Sequence, residues 1–250
     1  MSFFNKPNHI VDGIYHEKQV RELCALHALN NVLQDRQFTE RQLDAICDEL
    51  APGAWLNPHR SLLGTGNFDV NVVMTALQQK GWDARWFDRR RSVSDLVLAH
   101  IEGFILNLST EYRIGPFTLP YSRRHWVALR RLRPASLPPS EPAVYYNLDS
   151  KLPAPQSIGS DSDLIQYLSE KLGSKDVELF VVVSQQAAAD GVWIANAASP
   201  ADQRSDFNCV KSPGDVSADD GPAAARELAV KTAGANASEQ NGVVMQGTCS

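Results

Sequence analysis

The chain has 250 residues, 43% of them hydrophobic, which is enough for one domain with a real core and a tail. Its formal charge of −5 gives no electrostatic case for nucleic acid or an anionic membrane surface. No apolar run approaches the ~20 residues of a membrane span, and no signal-peptide core stands at the start, so the sequence reads as soluble and cytoplasmic; a monomer is expected.

Residues 1–13 read as a flexible N-terminus and the globular pattern runs over 14–194. The spacing predicts a helix over 23–34, with Leu23, Leu26, Leu29 and Leu33 on one stripe. A second helix follows Thr39, with Leu43, Ile46, Cys47 and Leu50 on one face, and ends at Pro52 and Gly53. A third starts after Asp69 and stops at Gly81. The segment Gly64-Thr65-Gly66 reads as a turn into it; no Gly-Lys-Ser/Thr follows, so it is not a phosphate loop. Strand patterns then dominate over 84–87, 103–108, 125–132, 144–148 and 178–183, with one more helix over 162–172. Helices first and antiparallel strands later predict an α+β fold. Residues 195–250 hold one Leu, one Phe, no Ile, seven acidic and four basic residues. Such a stretch cannot bury enough apolar area to offset chain entropy and reads as a disordered polar tail.

Four cysteines are present, Cys24, Cys47, Cys209 and Cys249, with no CxxC spacing. This fits reduced thiols better than a disulfide framework. Cys24 opens the first helix, where unpaired N–H groups and the positive end of the dipole favour a thiolate. A thiol nucleophile needs a base, and the base needs an orienting group. Among six histidines, His125 is placed best because it opens the strand 125–132. If that strand forms a hairpin with 144–148, Asp149 at the end of the second lies within reach of His125 at the start of the first. Asn147 shares the face of Asp149, and register decides between them; an anion also stabilises imidazolium, which favours Asp149. Taken singly, these residues have plainer readings: a core thiol, a packing histidine and a turn-forming Asp.

The segments that carry more weight are Tyr15-His16-Glu17-Lys18-Gln19 through Leu23-Cys24-Ala25-Leu26-His27-Ala28-Leu29-Asn30-Asn31, Arg124-His125-Trp126-Val127 and Tyr145-Tyr146-Asn147-Leu148-Asp149-Ser150. Together with Leu63-Gly64-Thr65-Gly66-Asn67-Phe68-Asp69-Val70-Asn71, and in this order, they resemble the motifs of the josephin-domain deubiquitinases. The likeness covers about 14–194 and is greatest to the small members that are little more than the domain. It implies a papain-like cysteine protease fold with Cys24 as nucleophile, His125 as base and acid, Asp149 as the orienting group and Gln19 in the oxyanion hole. The best-known member has Asn at the Asp149 position, whereas the small members have Asp as here. The implied activity is thiol-dependent hydrolysis of the isopeptide bond between the ubiquitin C-terminal glycine and a lysine. The implied partners are ubiquitin and ubiquitinated proteins, with no metal and no organic cofactor. The alternative is a ubiquitin-binding or scaffold protein with slow or modification-dependent hydrolysis.

Cys24 and His27 stand at C-x-x-H spacing, but no second ligand pair follows, and zinc is discounted. His27 is read as structural. The basic clusters 88–91 and 130–133 read as solvated surface. One departure from the small family members is the Pro-rich loop 134–142, longer than their usual turn. It joins the strand ends remote from His125 and Asp149, so the triad geometry is expected to survive it.

Overall fold

Side chains alternate faces along a strand, and here both faces are apolar, so the sheet must be covered on both sides. The computed structural model describes residues 9–59, 67–114 and 117–195. The Gly64–Gly66 turn, and all but Ala195 of the tail read over 195–250, lie outside the described residues. In chain order the elements are β1 (Ile10–Val11), β2 (Ile14–Tyr15), α1 (Cys24–Leu33), α2 (Glu40–Leu50), α3 (Val70–Gln79), β3 (Trp82–Trp86), β4 (Gly103–Ile114) and β5 (Phe117–Leu132). Then follow β6 (Val144–Asn147), β7 (Gln156–Gly159), α4 (Asp161–Leu172), β8 (Val177–Ser184) and α5 (Gln185–Asp190). Strands β1 and β2 form a small hairpin; the other six form one sheet in the order β3-β8-β4-β5-β6-β7, every neighbouring pair antiparallel. Mixed helices and an antiparallel sheet are what the order of elements predicts.

Period-two alternation sorts the core. Ile105, Trp126, Ala128, Phe180 and Val182 meet the buried residues of α1, α2 and α3 on one side. Phe104, Leu106, Val127, Leu129, Leu179, Val181 and Val183 meet Leu164, Leu168 and Leu172 of α4 and Ala187 and Ala188 of α5 on the other. The helix termini follow the expected cap chemistry. Thr39 and Gln42 form a capping box at α2, and the Asp69 side chain accepts from the Asn71 and Val72 N–H groups at 2.9 and 3.2 Å to start α3. Gly81 takes φ +82° just past the end of α3. Leu50 shares the apolar periodicity of α2 but lies in its last turn and is 37% exposed.

Two differences from the sequence reading concern the strands. The patterns at 103–108 and 125–132 are the inner halves of a much longer hairpin. Beyond Leu108 and His125, strands β4 and β5 continue as a two-stranded ribbon past the last residue paired with β8, with a shift in register between Glu111 and Arg113. Pro120 interrupts the outer part of β5 and argues against a strand there in a pattern search. Strand β7, which the strand patterns do not include, pairs on the outer edge of β6. The Pro-rich loop 134–142 folds back on the β1–β2 turn: Ala135 N–H donates to the Asp12 carbonyl at 2.8 Å and Ser136 N–H to the Asp12 carboxylate at 2.9 Å. It closes the Leu132–Val144 end of the β5–β6 pair, away from His125.

The junction of α1 with the sheet has no spare room. A Cβ on Gly103 would meet Val32 Cγ2 at 2.7 Å and the Leu129 carbonyl oxygen at 2.8 Å. Gly103→Ala is therefore expected to lower stability by about 1–3 kcal/mol, read as a lower urea midpoint at unchanged m-value.

Candidate active site

Helix α1 begins at Cys24 itself. The residue before it, Leu23, offers no side-chain cap, and the first intrahelical bond is His27 N–H to the Leu23 carbonyl at 3.0 Å. Cys24 therefore occupies the first helical position, where backbone N–H groups point out of the helix end. Its thiol is free and buried, with Sγ 3.9 Å from the carbonyl oxygen of Arg124, the residue before His125.

The β5–β6 pairing places Leu129 opposite Asn147 and Leu132 opposite Val144, and Leu148 N–H extends the ladder to the Ala128 carbonyl at 2.8 Å. This antiparallel register brings the chain after β6 alongside the start of the sheet-borne part of β5. His125 Nε2–H donates to Asp149 Oδ1 at 2.7 Å. Asn147, the other candidate for that position, instead accepts the Asp149 N–H on its Oδ1 at 3.0 Å and so braces the aspartate. Burial by itself would lower the His125 pKa. The hydrogen bond and charge of Asp149, with a further hydrogen bond to Cys24, outweigh it and push the imidazole up to about 9. Burial works against the Asp149 charge too, but the His125 hydrogen bond, the Lys151 N–H and both nearby cations hold its carboxyl below the ordinary range. Since Asp149 occupies Nε2, Nδ1 is the ring nitrogen left for the thiol.

The lead-in to Cys24 is tied to this strand end at two points. His16 Nε2–H donates to the Asp149 carbonyl at 3.0 Å, and Gln19 N–H to the Ser150 carbonyl at 2.7 Å. Gln19 thus lies beside the residue that follows Asp149. Its side-chain Nε2–H donates to the Arg21 carbonyl at 2.9 Å, one of its two N–H groups, and its Oε1 is buried without a partner. A shallow cleft lined by Lys18, Gln19, Arg21, Ser150, Lys151, Leu152 and Pro153 adjoins it. Among the described residues no group of three or more His, Cys, Asp and Glu side chains gathers as a metal-holding cluster.

Sequence reasoning missed the polar network behind the lead-in. Glu17 is 4% exposed, and its carboxylate accepts from Tyr15 Oη at 2.5 Å, His27 Nδ1 at 2.6 Å and Asn30 Nδ2 at 3.1 Å. Asn31 Oδ1 accepts the Glu17 N–H at 2.6 Å, while Asn31 Nδ2 donates to the Leu148 carbonyl at 2.9 Å. Burial opposes the Glu17 charge, and these donors more than compensate, so its carboxyl titrates below the ordinary range. The available signal was three polar residues, His27, Asn30 and Asn31, inside a ten-residue helix that is otherwise wholly apolar.

Two measurements follow from this geometry. Arg21 sits at φ +54°, a left-handed conformation that costs a non-glycine residue about 1–2 kcal/mol. Its guanidinium is exposed and only 4.0 Å from Glu40, which adds little. Arg21→Gly is expected to match or exceed wild-type stability, and Arg21→Val to fall below it by about 1 kcal/mol or more, in parallel urea titrations. For His125, the folded pKa of about 9 exceeds its ordinary 6.5, so its stabilisation is complete below pH 6.5 and is lost as pH rises through about 9. Asp149 has the opposite sign: its contribution is present above the ordinary carboxylate range and is lost as pH falls through its lowered folded value. Asp149→Asn removes the anion, so the His125 ring resonances are expected to titrate lower by about one pH unit or more.

The model of the Josephin family matches residues 19–183 of the chain. Josephin-2 of Mus musculus is 48% identical over 182 residues, covering 73% of this chain and 92% of that protein. A Josephin-like protein of Drosophila melanogaster is 48% identical over 176 residues, covering 70% of this chain and 75% of that protein. Ataxin-3 of Homo sapiens is 30% identical over 183 residues, covering 69% of this chain and 46% of that protein. The matched span holds Gln19, Cys24, His125 and Asp149 together with the sheet that positions them, and the chain belongs to the Josephin family.

Proposed function

We propose that this protein is a cysteine-type deubiquitinase, with the catalytic domain spanning about 14–194 in a papain-like arrangement of an N-terminal helix against a sheet that carries the base. The observation that carries the proposal is His125, with its Nε2 committed to Asp149 and its pKa raised to about 9 in part by Cys24. A histidine in that position favours the thiolate–imidazolium pair.

In the proposed reaction His125 takes the Cys24 proton, and the thiolate attacks the carbonyl carbon of the ubiquitin C-terminal glycine in its bond to a lysine. The carbonyl oxygen gains the negative charge. The Cys24 backbone N–H and the second Nε2–H of Gln19 stabilise it, a contribution of about 100-fold or more per donor. His125 then protonates the lysine amine as the carbon–nitrogen bond breaks, leaving a thioester. Water, deprotonated by His125, hydrolyses that thioester and returns the free thiol. Asp149 holds the ring and stabilises its cationic form throughout. No metal or organic cofactor enters.

One observation favours the second reading, a ubiquitin-binding protein with slow or modification-dependent hydrolysis. Cys24 is 4% exposed and one Gln19 N–H is spent on the Arg21 carbonyl, so the site must open before a substrate reaches it. Ubiquitin carrying a C-terminal propargylamide separates the two in intact-mass spectrometry. A single adduct on wild type and none on Cys24→Ala is expected. Labelling that persists in Cys24→Ala, or its absence from well-folded wild type, would reject Cys24 as a ubiquitin-directed nucleophile. Cleavage of ubiquitin chains by wild type, with equal ubiquitin affinity for Cys24→Ala, would reject a purely binding role.

A further inference from the structure

We infer that His27 is a positioning residue for oxyanion stabilisation, acting through the Val20 backbone N–H, with Glu17 setting its tautomer. The inference rests on the deubiquitinase reading above. It begins from a cost: α1 buries an imidazole among apolar neighbours, which is unfavourable unless both ring nitrogens are matched. Both are. Val20 N–H donates to His27 Nε2 at 3.2 Å, so Nε2 carries the lone pair and the proton is on Nδ1. That proton goes to Glu17 Oε2 at 2.6 Å. The carboxylate therefore selects the one neutral tautomer that can accept from the main chain.

The amide it accepts belongs to the residue between Gln19 and Arg21. Val20 cannot be held there by its side chain, which is among the exposed apolar groups at 58%. On one side Gln19 N–H is fixed to Ser150; on the other, the Arg21 carbonyl takes the Gln19 side-chain amide. Arg21 itself is in the left-handed region, so the segment is not one the chain would adopt unaided. The Val20–His27 bond is the tether in the middle. Loss of that tether frees the Gln19 amide to move, and a displacement of about 1 Å at a catalytic group can cost about 100-fold.

The two ring nitrogens can be tested apart. His27→Asn keeps a donor near Nδ1 for Glu17 and removes the acceptor for Val20; His27→Gln keeps an acceptor near Nε2 for Val20. Each is compared with wild type for kcat and KM on ubiquitin bearing a fluorogenic C-terminal amide, for Tm, and for alkylation of Cys24 by iodoacetamide, a reaction that forms no oxyanion. The expected result is a kcat lower by about 100-fold in His27→Asn at unchanged KM and alkylation rate, with kcat within about tenfold of wild type in His27→Gln. Equal losses in both variants, a normal kcat in His27→Asn, or alkylation that falls in step with kcat overturns the inference. Should His27→Asn not fold, Val20→Pro deletes the same N–H from an exposed residue and must show the same kcat loss; a normal kcat there overturns it too. Wild type that alkylates but cleaves nothing overturns the deubiquitinase reading itself.

Discussion

A single buried carboxylate organises the start of this domain. Glu17 gathers three donors, from Tyr15, His27 and Asn30, and its own N–H is held by Asn31. Removing water from a carboxylate is costly, and only a nearly complete set of charge-assisted hydrogen bonds offsets that cost. Those bonds in turn fix the course of residues 15–20 against α1. Through Asn31 and Leu148 the same network reaches the end of β6, so the lead-in, the helix and the strand before Asp149 are one connected unit.

Two imidazole–carboxylate pairs sit within this unit with opposite ring orientation. His27 gives Nδ1–H to Glu17 and leaves Nε2 to accept a backbone amide. His125 gives Nε2–H to Asp149 and leaves Nδ1 on the thiol side. In the first pair the second nitrogen accepts a main-chain amide. In the second it faces a titratable group, and the pKa is raised to about 9. The same chemical pair thus does static work in one place and proton transfer, under the proposed mechanism, in the other. His125 also marks the place where β5 stops being part of the broad sheet. Its partner Leu108 is the last residue of β4 paired with β8, and the β4–β5 ribbon beyond it stands outside the sheet. The residue is anchored by the core strand that follows it and is itself buried.

Much of this was legible in the chain. The stripe of leucines and the cap residues Thr39 and Asp69 placed three helices to within a few residues, because caps and period-3.6 patterns are local properties. The strand pair carrying His125 and Asn147 was legible because adjacent strands joined by one loop pair with each other by default. The outer ribbon of β4–β5, strand β7 and the β1–β2 hairpin were not: Pro120 interrupts the first, and the others, of two to four residues, are too short to show a period.

By itself, the amino-acid sequence determined the residue types of the candidate site, their order along the chain and the class of the fold, since composition and periodicity are carried by each segment alone. Only the tertiary structure decided which carboxylate each histidine meets, which ring nitrogen is left over, and that Glu17, His27, Asn30 and Asn31 form one buried network. Those outcomes depend on register and on the approach of α1 to the end of β6, contacts between residues more than a hundred positions apart. Such contacts leave no local pattern, because the groups that make them are individually unfavourable inside a core and become favourable only when all of them arrive together.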